Sequence, residues 1–169
     1  EIDCIYARAE YAYKLSCVMP TINANGVIDI QMGRHPLIDR KKVVPVSIAL
    51  GDSYRFLLIS GPNTGGKTVT LKTMGLMTLM AQAGLQIPAD ESSNIGIFSE
   101  VLVDIGDEQS IEQSLSAFSS HMVNIVDIIK NADDESLVLI DELGAGTDPV
   151  EGAALAIAIL ERLHICGAK

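Results

Sequence analysis

The chain has 169 residues, of which 48% are apolar and 20% charged. That is the size of one domain with a sizeable core, and it excludes wholesale disorder. The formal charge of −10 is uneven: residues 1–72 hold nine Lys and Arg against six Asp and Glu, and residues 73–169 hold three against sixteen. The second half therefore has no basic face with which to neutralise nucleic-acid phosphates.

Residues 1–18 carry apolar or aromatic side chains at 2, 5, 6, 9, 12 and 13, without Gly or Pro, and this spacing predicts a helix ended by Met19-Pro20. Asn25-Gly26 is a turn, and residues 27–32 alternate like a short strand, broken by Gly33-Arg34-His35-Pro36. Residues 41–50 are β-branched but contain Pro45, which predicts an edge strand or extended segment. Residues 55–60 (RFLLIS) form a short apolar run, read as a buried strand entering a Gly-rich loop. Residues 67–83 read as a buried helix, apolar on nearly every side and stopped by Gly84 and Pro88. Residues 94–106 suggest interrupted strand structure, and 114–130 a helix with an apolar stripe at 115, 118, 122, 125, 126 and 129. A turn at 131–135, a strand at 137–140 and a helix at 150–164 follow. Alternating strands and helices predict an α/β fold with a mainly parallel sheet flanked by helices. No apolar run reaches the roughly 18 residues of a membrane span. No secretory leader is visible, and three Cys without metal or disulfide spacing fit a reducing cytoplasm. The chain starts at Glu1 and ends at Lys169 in mid-pattern, which reads as a piece of a longer protein.

Two motifs carry chemistry. Gly61-Pro62-Asn63-Thr64-Gly65-Gly66-Lys67-Thr68 matches G-x-x-x-x-G-K-[ST]. Glycines let backbone N–H groups wrap phosphates, and the N-terminus of the following helix adds positive potential. Lys67 then reaches the β- and γ-phosphates, the Thr68 hydroxyl binds Mg²⁺, and Val69 completes the nucleotide-contacting stretch. A Gly-rich turn that happens to fit is the bland alternative. The second motif is the apolar run 137–140 ending in Asp141-Glu142. Asp141 suits a Mg²⁺ ligand through water, and Glu142 suits the group that polarises an attacking water. Alone, a strand end with an acidic turn would explain it. The glycines of Leu143-Gly144-Ala145-Gly146-Thr147-Asp148-Pro149 make a tight loop directly after the acids.

Together GPNTGGKT, DELGAGTD and the RHP of residues 34–36 resemble the ATPase domain of the MutS family. The segments IPADESSNIGIF, DIGDEQSIEQSLSAFSSHM and DELGAGTDPVEGAALA are most similar to its second bacterial paralogue. The resemblance implies a P-loop NTPase of the ABC-like ATPase group, binding ATP or ADP with Mg²⁺. Residues 1–18 would be the end of a lever helix, 19–54 a β-rich lead-in, and 55–169 the ATPase core, ending before its last strand or strands. That missing strand carries, in the family, a Thr-His pair whose His senses the γ-phosphate, so the resemblance implies weak hydrolysis and a mostly monomeric piece.

Further roles follow from the same likeness. Lys67 and Glu142 would be catalytic. In the head-to-tail homodimer of the family, Ser114 and Ser116 would face the partner's nucleotide, although either can equally be an ordinary N-cap. Ala117 departs from the Thr usual there. Asp107, Glu112 and Gln113 are weaker candidates. Val43-Val44-Pro45 would face adenine, with His35 nearby. The paralogue's roles are suppression of homologous recombination through DNA and, in some bacteria, rescue of collided ribosomes, which would add rRNA contacts. It usually carries a C-terminal Smr nuclease domain, so the whole protein would also be an endonuclease. Three other classes compete. A transporter cassette wants an L-S-G-G-Q segment that is absent. A chromosome-structural ATPase wants a coiled coil between the motifs, and there is no room for one. A module that merely dimerises on ATP would keep the binding residues and lack turnover.

Overall fold

The computed structural model describes residues 1–61, 66–106 and 114–169, without the side chains of 114–117. The chain divides into two compact units, Glu1–Ile97 and Phe98–Lys169.

The first unit opens with α1 (Ile2–Leu15), which ends where Ser16 turns left-handed and the N–H groups of Ser16 and Cys17 bond back to Tyr13 and Ala12. None of its residues is buried. A sheet follows, built from β1 (Thr21–Asn23), β2 (Ile28–Gly33), β3 (Val46–Leu50) and β4 (Asn94–Gly96), in the order β1-β4-β2-β3. The period of two in β2 turns Ile28 and Ile30 into the core while Asp29 and Gln31 stay half-buried. Ile48 and Leu50 of β3 and Ile95 of β4 join them. Each such isoleucine contributes about 1.5–3 kcal/mol by leaving water. A bulge between Ile30 and Gly33 bends β2, and Met32 there takes a positive φ of 52°. β3 lies outermost, as Pro45 predicts, and the Tyr54 hydroxyl donates to the carbonyl of its Ala49 at 2.9 Å.

α2 (Lys67–Gln82) supplies Thr73, Met74, Met77, Met80 and Ala81 to this core at helical spacing. Its buried hydroxyls are satisfied locally, Thr73 donating to the Val69 carbonyl and Thr78 to that of Met74. The helix is one-sided rather than buried all round, since Leu79 remains 48% exposed.

The second unit holds β5 (Glu100–Asp104), α3 (Ser114–Asn131), β6 (Ser136–Ile140) and α4 (Pro149–Cys166). β5 and β6 pair in parallel, in register from Glu100 opposite Ser136 to Asp104 opposite Ile140. Leu137 and Leu139 are buried with Ile125, Ile128 and Ala132, and with Ile159 and Leu163 of α4. The buried side of α3 thus runs through 125 and 128 to Ala132 just past its end, while Val126 is exposed. Asp148 caps α4 by accepting from the N–H groups of Val150 and Glu151, with Pro149 at the first helical position.

The expectation of a mainly parallel sheet, as in a P-loop NTPase of the ABC-like group, is overturned. The four-stranded sheet is mixed: β1 and β4 run parallel, while β2 pairs antiparallel with both β3 and β4. The parallel β5–β6 pair is a separate two-stranded sheet. Residues 55–60, expected to be an apolar strand leading into the Gly-rich loop, form none, and Leu58 is 85% exposed. A buried parallel strand needs a free ladder edge and cover on both faces. Leu57 and Leu58, 39% and 85% exposed, lack that cover. β1, unforeseen because Thr21-Ile22-Asn23 is too short to show alternation, takes the edge of β4. Among the described residues no helix is long and apolar enough to cross a membrane.

Candidate functional site

The residues singled out by the two motifs fall into two groups, one in each unit. In the first unit, Gly66 takes a φ of 78° and hands the chain to α2. A side chain at Gly66 would meet nothing within 4 Å, so it is the backbone turn, not crowding, that calls for glycine. α2 begins without a side-chain cap and without an acidic residue in its first turn. Its first N–H groups and its dipole thus present positive potential where Lys67 and Thr68 stand. The Lys67 ammonium donates to the Gly61 carbonyl at 2.7 Å, folding the side chain back across the loop. Val69 is 38% exposed. Pro62, Asn63, Thr64 and Gly65 lie outside the described residues.

One turn along α2, Lys72 faces His35 of the Arg-His-Pro segment. Burial, and then the Lys72 charge, push the His35 imidazole below its usual pKa. The Nδ1 of His35 accepts from the Leu37 N–H at 3.3 Å, which also suits a neutral ring. Val43, expected to face adenine, bonds through its N–H to the Asp39 carbonyl, and Val44 is 77% exposed.

In the second unit, Asp141 and Glu142 follow β6 directly. The Asp141 N–H donates to the Asp104 carbonyl at 2.8 Å, continuing the ladder past the strand ends. The Asp141 carboxylate accepts from the Glu142 N–H at 3.1 Å. Glu142 takes a φ of 51°, a left-handed conformation rare for a side-chain-bearing residue. The Glu142 carbonyl then accepts from the Ala145 N–H, closing the turn. Gly144 and Gly146 also have positive φ, 84° and 86°. A Cβ on Gly144 would collide with the Gly152 carbonyl of α4, and one on Gly152 with the Gly144 carbonyl, so the loop and the helix touch backbone to backbone. This explains the glycine density that an ordinary strand-to-helix connection leaves unexplained.

Asp141, Glu142 and the 144–146 loop line a cavity of about 160 Å³ together with Asp104, Phe118 and His121. Sequence reasoning missed the last group of contacts. Asp104 is 4% exposed, and its carboxylate oxygens lie 2.9 and 3.1 Å from His121 Nδ1. Asn124 Nδ2 donates to the same carboxylate at 2.8 Å and to the Val103 carbonyl at 3.0 Å. A buried carboxylate needs such partners. The available signal was that VLVD and LVLID are two apolar runs each ending in Asp. The side chains of Ser114 and Ser116, and Asp107, Glu112 and Gln113, lie outside the described residues.

Residues 57–168 match the family described as MutS domain V. Over all 169 residues the chain is 64% identical to proteins named Endonuclease MutS2 from Clostridium botulinum (strain Loch Maree / Type A3) and from Clostridium acetobutylicum. It is equally similar to the protein of that name from Geobacillus sp. (strain WCH70). The whole chain is covered in each case, against 21%, 21% and 22% of the relatives. The chain therefore spans about a fifth of the length of the curated relatives it matches.

Proposed function

The chain belongs to the MutS family, and on that premise we propose that it is the ATP-binding and ATP-hydrolysing part of a MutS2-type protein. The observation that carries the reading is Lys67 at an uncapped helix N-terminus, directly after the left-handed Gly66 of the G-x-x-x-x-G-K-[ST] motif. The Lys67 ammonium, now on the Gly61 carbonyl, would exchange that partner for the β- and γ-phosphates. Asn63, Thr64 and Gly65 would add backbone N–H groups, Pro62 would shape the loop without donating, and Val69 would complete the wall.

Mg²⁺ suits the donor chemistry. It keeps most of its waters and needs only one or two protein oxygens besides phosphate, and the two motifs offer the Thr68 hydroxyl and the Asp141 carboxylate as candidates. When bound, the ion would neutralise charge on the phosphate oxygens. Glu142 would orient and polarise the attacking water. Its exposed carboxylate on a cavity wall, held in a strained backbone conformation, supports that role. Ser114 and Ser116 would face the nucleotide of a second subunit in a homodimer.

In the whole protein, nucleotide state would govern the grip on DNA and so suppress homologous recombination in the cytoplasm. A nuclease domain of the Smr type elsewhere in that protein belongs to the same proposal. The acidic character of residues 73–169 implies that most of the DNA grip lies outside this chain.

The test is calorimetric titration of the chain with Mg²⁺-ATP and Mg²⁺-ADP beside Lys67→Ala. Binding by the parent chain that is lost in Lys67→Ala is the expected result. Equal affinity in both would remove the motif from the mechanism.

A further inference from the structure

The acidic motif is held from α3 as well as from its own strand. Asp104 ends β5 and has two functions at once. Its carbonyl accepts from the Asp141 N–H, fixing the backbone at the first acid. Its buried carboxylate is gripped by His121 and Asn124, both on α3 and three residues apart, hence on one face. Three residues before His121 on the same helix, Phe118 covers Gly146: a Cβ there would lie 3.4 Å from the Phe118 Cβ and Cδ2. α3 therefore reaches both ends of the turn that carries Asp141 and Glu142, through Asp104 at its start and Gly146 at its end. Gly106, which follows β5, is closer still, since a Cβ on it would lie 2.9 Å from the His121 ring.

We propose that Phe118, His121 and Asn124 form a latch through which the position of α3 sets the geometry of the Asp141–Glu142 turn, with Asp104 as the joint. All four are positioning residues, acting through Asp141 and Glu142. The physical case is that Glu142 sits at a φ of 51° that its own chemistry disfavours. Such a conformation persists only where surrounding contacts over-determine it. The contacts present are the Asp104 and Phe118 links on one side and the Gly144–Gly152 backbone contact on the other. The charge-assisted pairing of a buried carboxylate with two side chains of one helix makes the joint stiff. Anything that shifts or turns α3 would then reach the acids without touching them. The consequence for hydrolysis rests on the reading of Glu142 as the water-polarising group; the latch itself does not.

The experiment is amide hydrogen exchange by NMR on the whole nucleotide-free chain, comparing wild type, His121→Gln and Phe118→Ala, with Asn124→Ala as a further variant should one of these not fold. Exchange at Asp141, Glu142 and Ala145 should accelerate about tenfold or more, with Val138 and Leu139 of the same strand keeping their rates. Unchanged exchange at Asp141 and Glu142, with effects confined to α3, would overturn the proposal. So would a uniform acceleration throughout β6, because that is loss of stability and not release of a latch. A second arm measures Mg²⁺-ATP turnover: kcat should fall about tenfold with KM changed less than about twofold. If the wild-type chain neither binds nor turns over ATP, the functional reading fails and the exchange data alone decide the latch.

Discussion

Replacing Gly152 by Ala sets two known effects against each other. Gly152 lies inside α4, where Ala is ordinarily better than Gly by about 1 kcal/mol. Here, however, the added Cβ would occupy the space of the Gly144 carbonyl oxygen, and Thr147 Cγ2 lies 3.3 Å away on the same side. The carbonyl belongs to backbone at a φ of 84°, tied into the turn after Asp141, and cannot swing aside as a side-chain end would. Overpacking of this kind costs about 1–3 kcal/mol. Set against the propensity gain of about 1 kcal/mol, the outcome is a net loss of up to about 2 kcal/mol, or a Tm lower by up to about 8 °C. Urea denaturation followed by circular dichroism reads it, with Ala153→Gly, at an exposed position of the same helix, calibrating propensity at a loss of about 1 kcal/mol. If Gly152→Ala were instead more stable than wild type by about that amount, the backbone contact between loop and helix would be refuted.

Two further outcomes follow from the same geometry. Glu142→Gly should stabilise the chain by about 1 kcal/mol, because the left-handed conformation is released from its side-chain penalty, while ATP turnover is lost and ATP binding retained; undiminished turnover would remove Glu142 from the chemistry. Acidification should destabilise the chain through His35. Its folded pKa lies below the ordinary value of 6.5, so between the two values the unfolded chain holds a proton that the folded chain does not. Stability is therefore unaffected well above 6.5, falls as pH drops through 6.5, and levels off below the folded pKa. Urea midpoints across about pH 7.5 to about pH 5.5 should drop more in wild type than in His35→Gln, and parallel slopes would exclude His35 as the cause.

Local patterns were legible wherever one residue type decides the backbone. Pro45 marked an outer strand and Gly66-Lys67 a helix start, whereas the Asp148 cap of α4 was read only as part of a loop. Pairing between strands was not legible. The run at 55–60 has the composition of a buried strand, but composition does not say whether a ladder edge is free, and Leu58 stands in solvent. The antiparallel pairing of β2 and the short parallel β1 likewise depend on partners distant in sequence. Of the candidate site, the acids and Lys67 were visible because a fixed spacing defines them. Asp104 and His121 were not, because seventeen positions and a masking run of polar residues separate two side chains that meet only once α3 lies on β5.

The outer strand β3 of the mixed sheet has a bearing on how the protein behaves when crowded. A flat, unpaired strand is a template on which another chain can add. β3 is a poor template. Pro45 offers no N–H at its entrance, Lys41 and Lys42 place charge just before it, and the Tyr54 hydroxyl already occupies the Ala49 carbonyl. The chain after β3 folds back only far enough to bond Gly51 to the Tyr54 carbonyl and deliver that hydroxyl. The short detour at 51–54 thus acts as a guard rail, closing one route to aggregation with a single tyrosine.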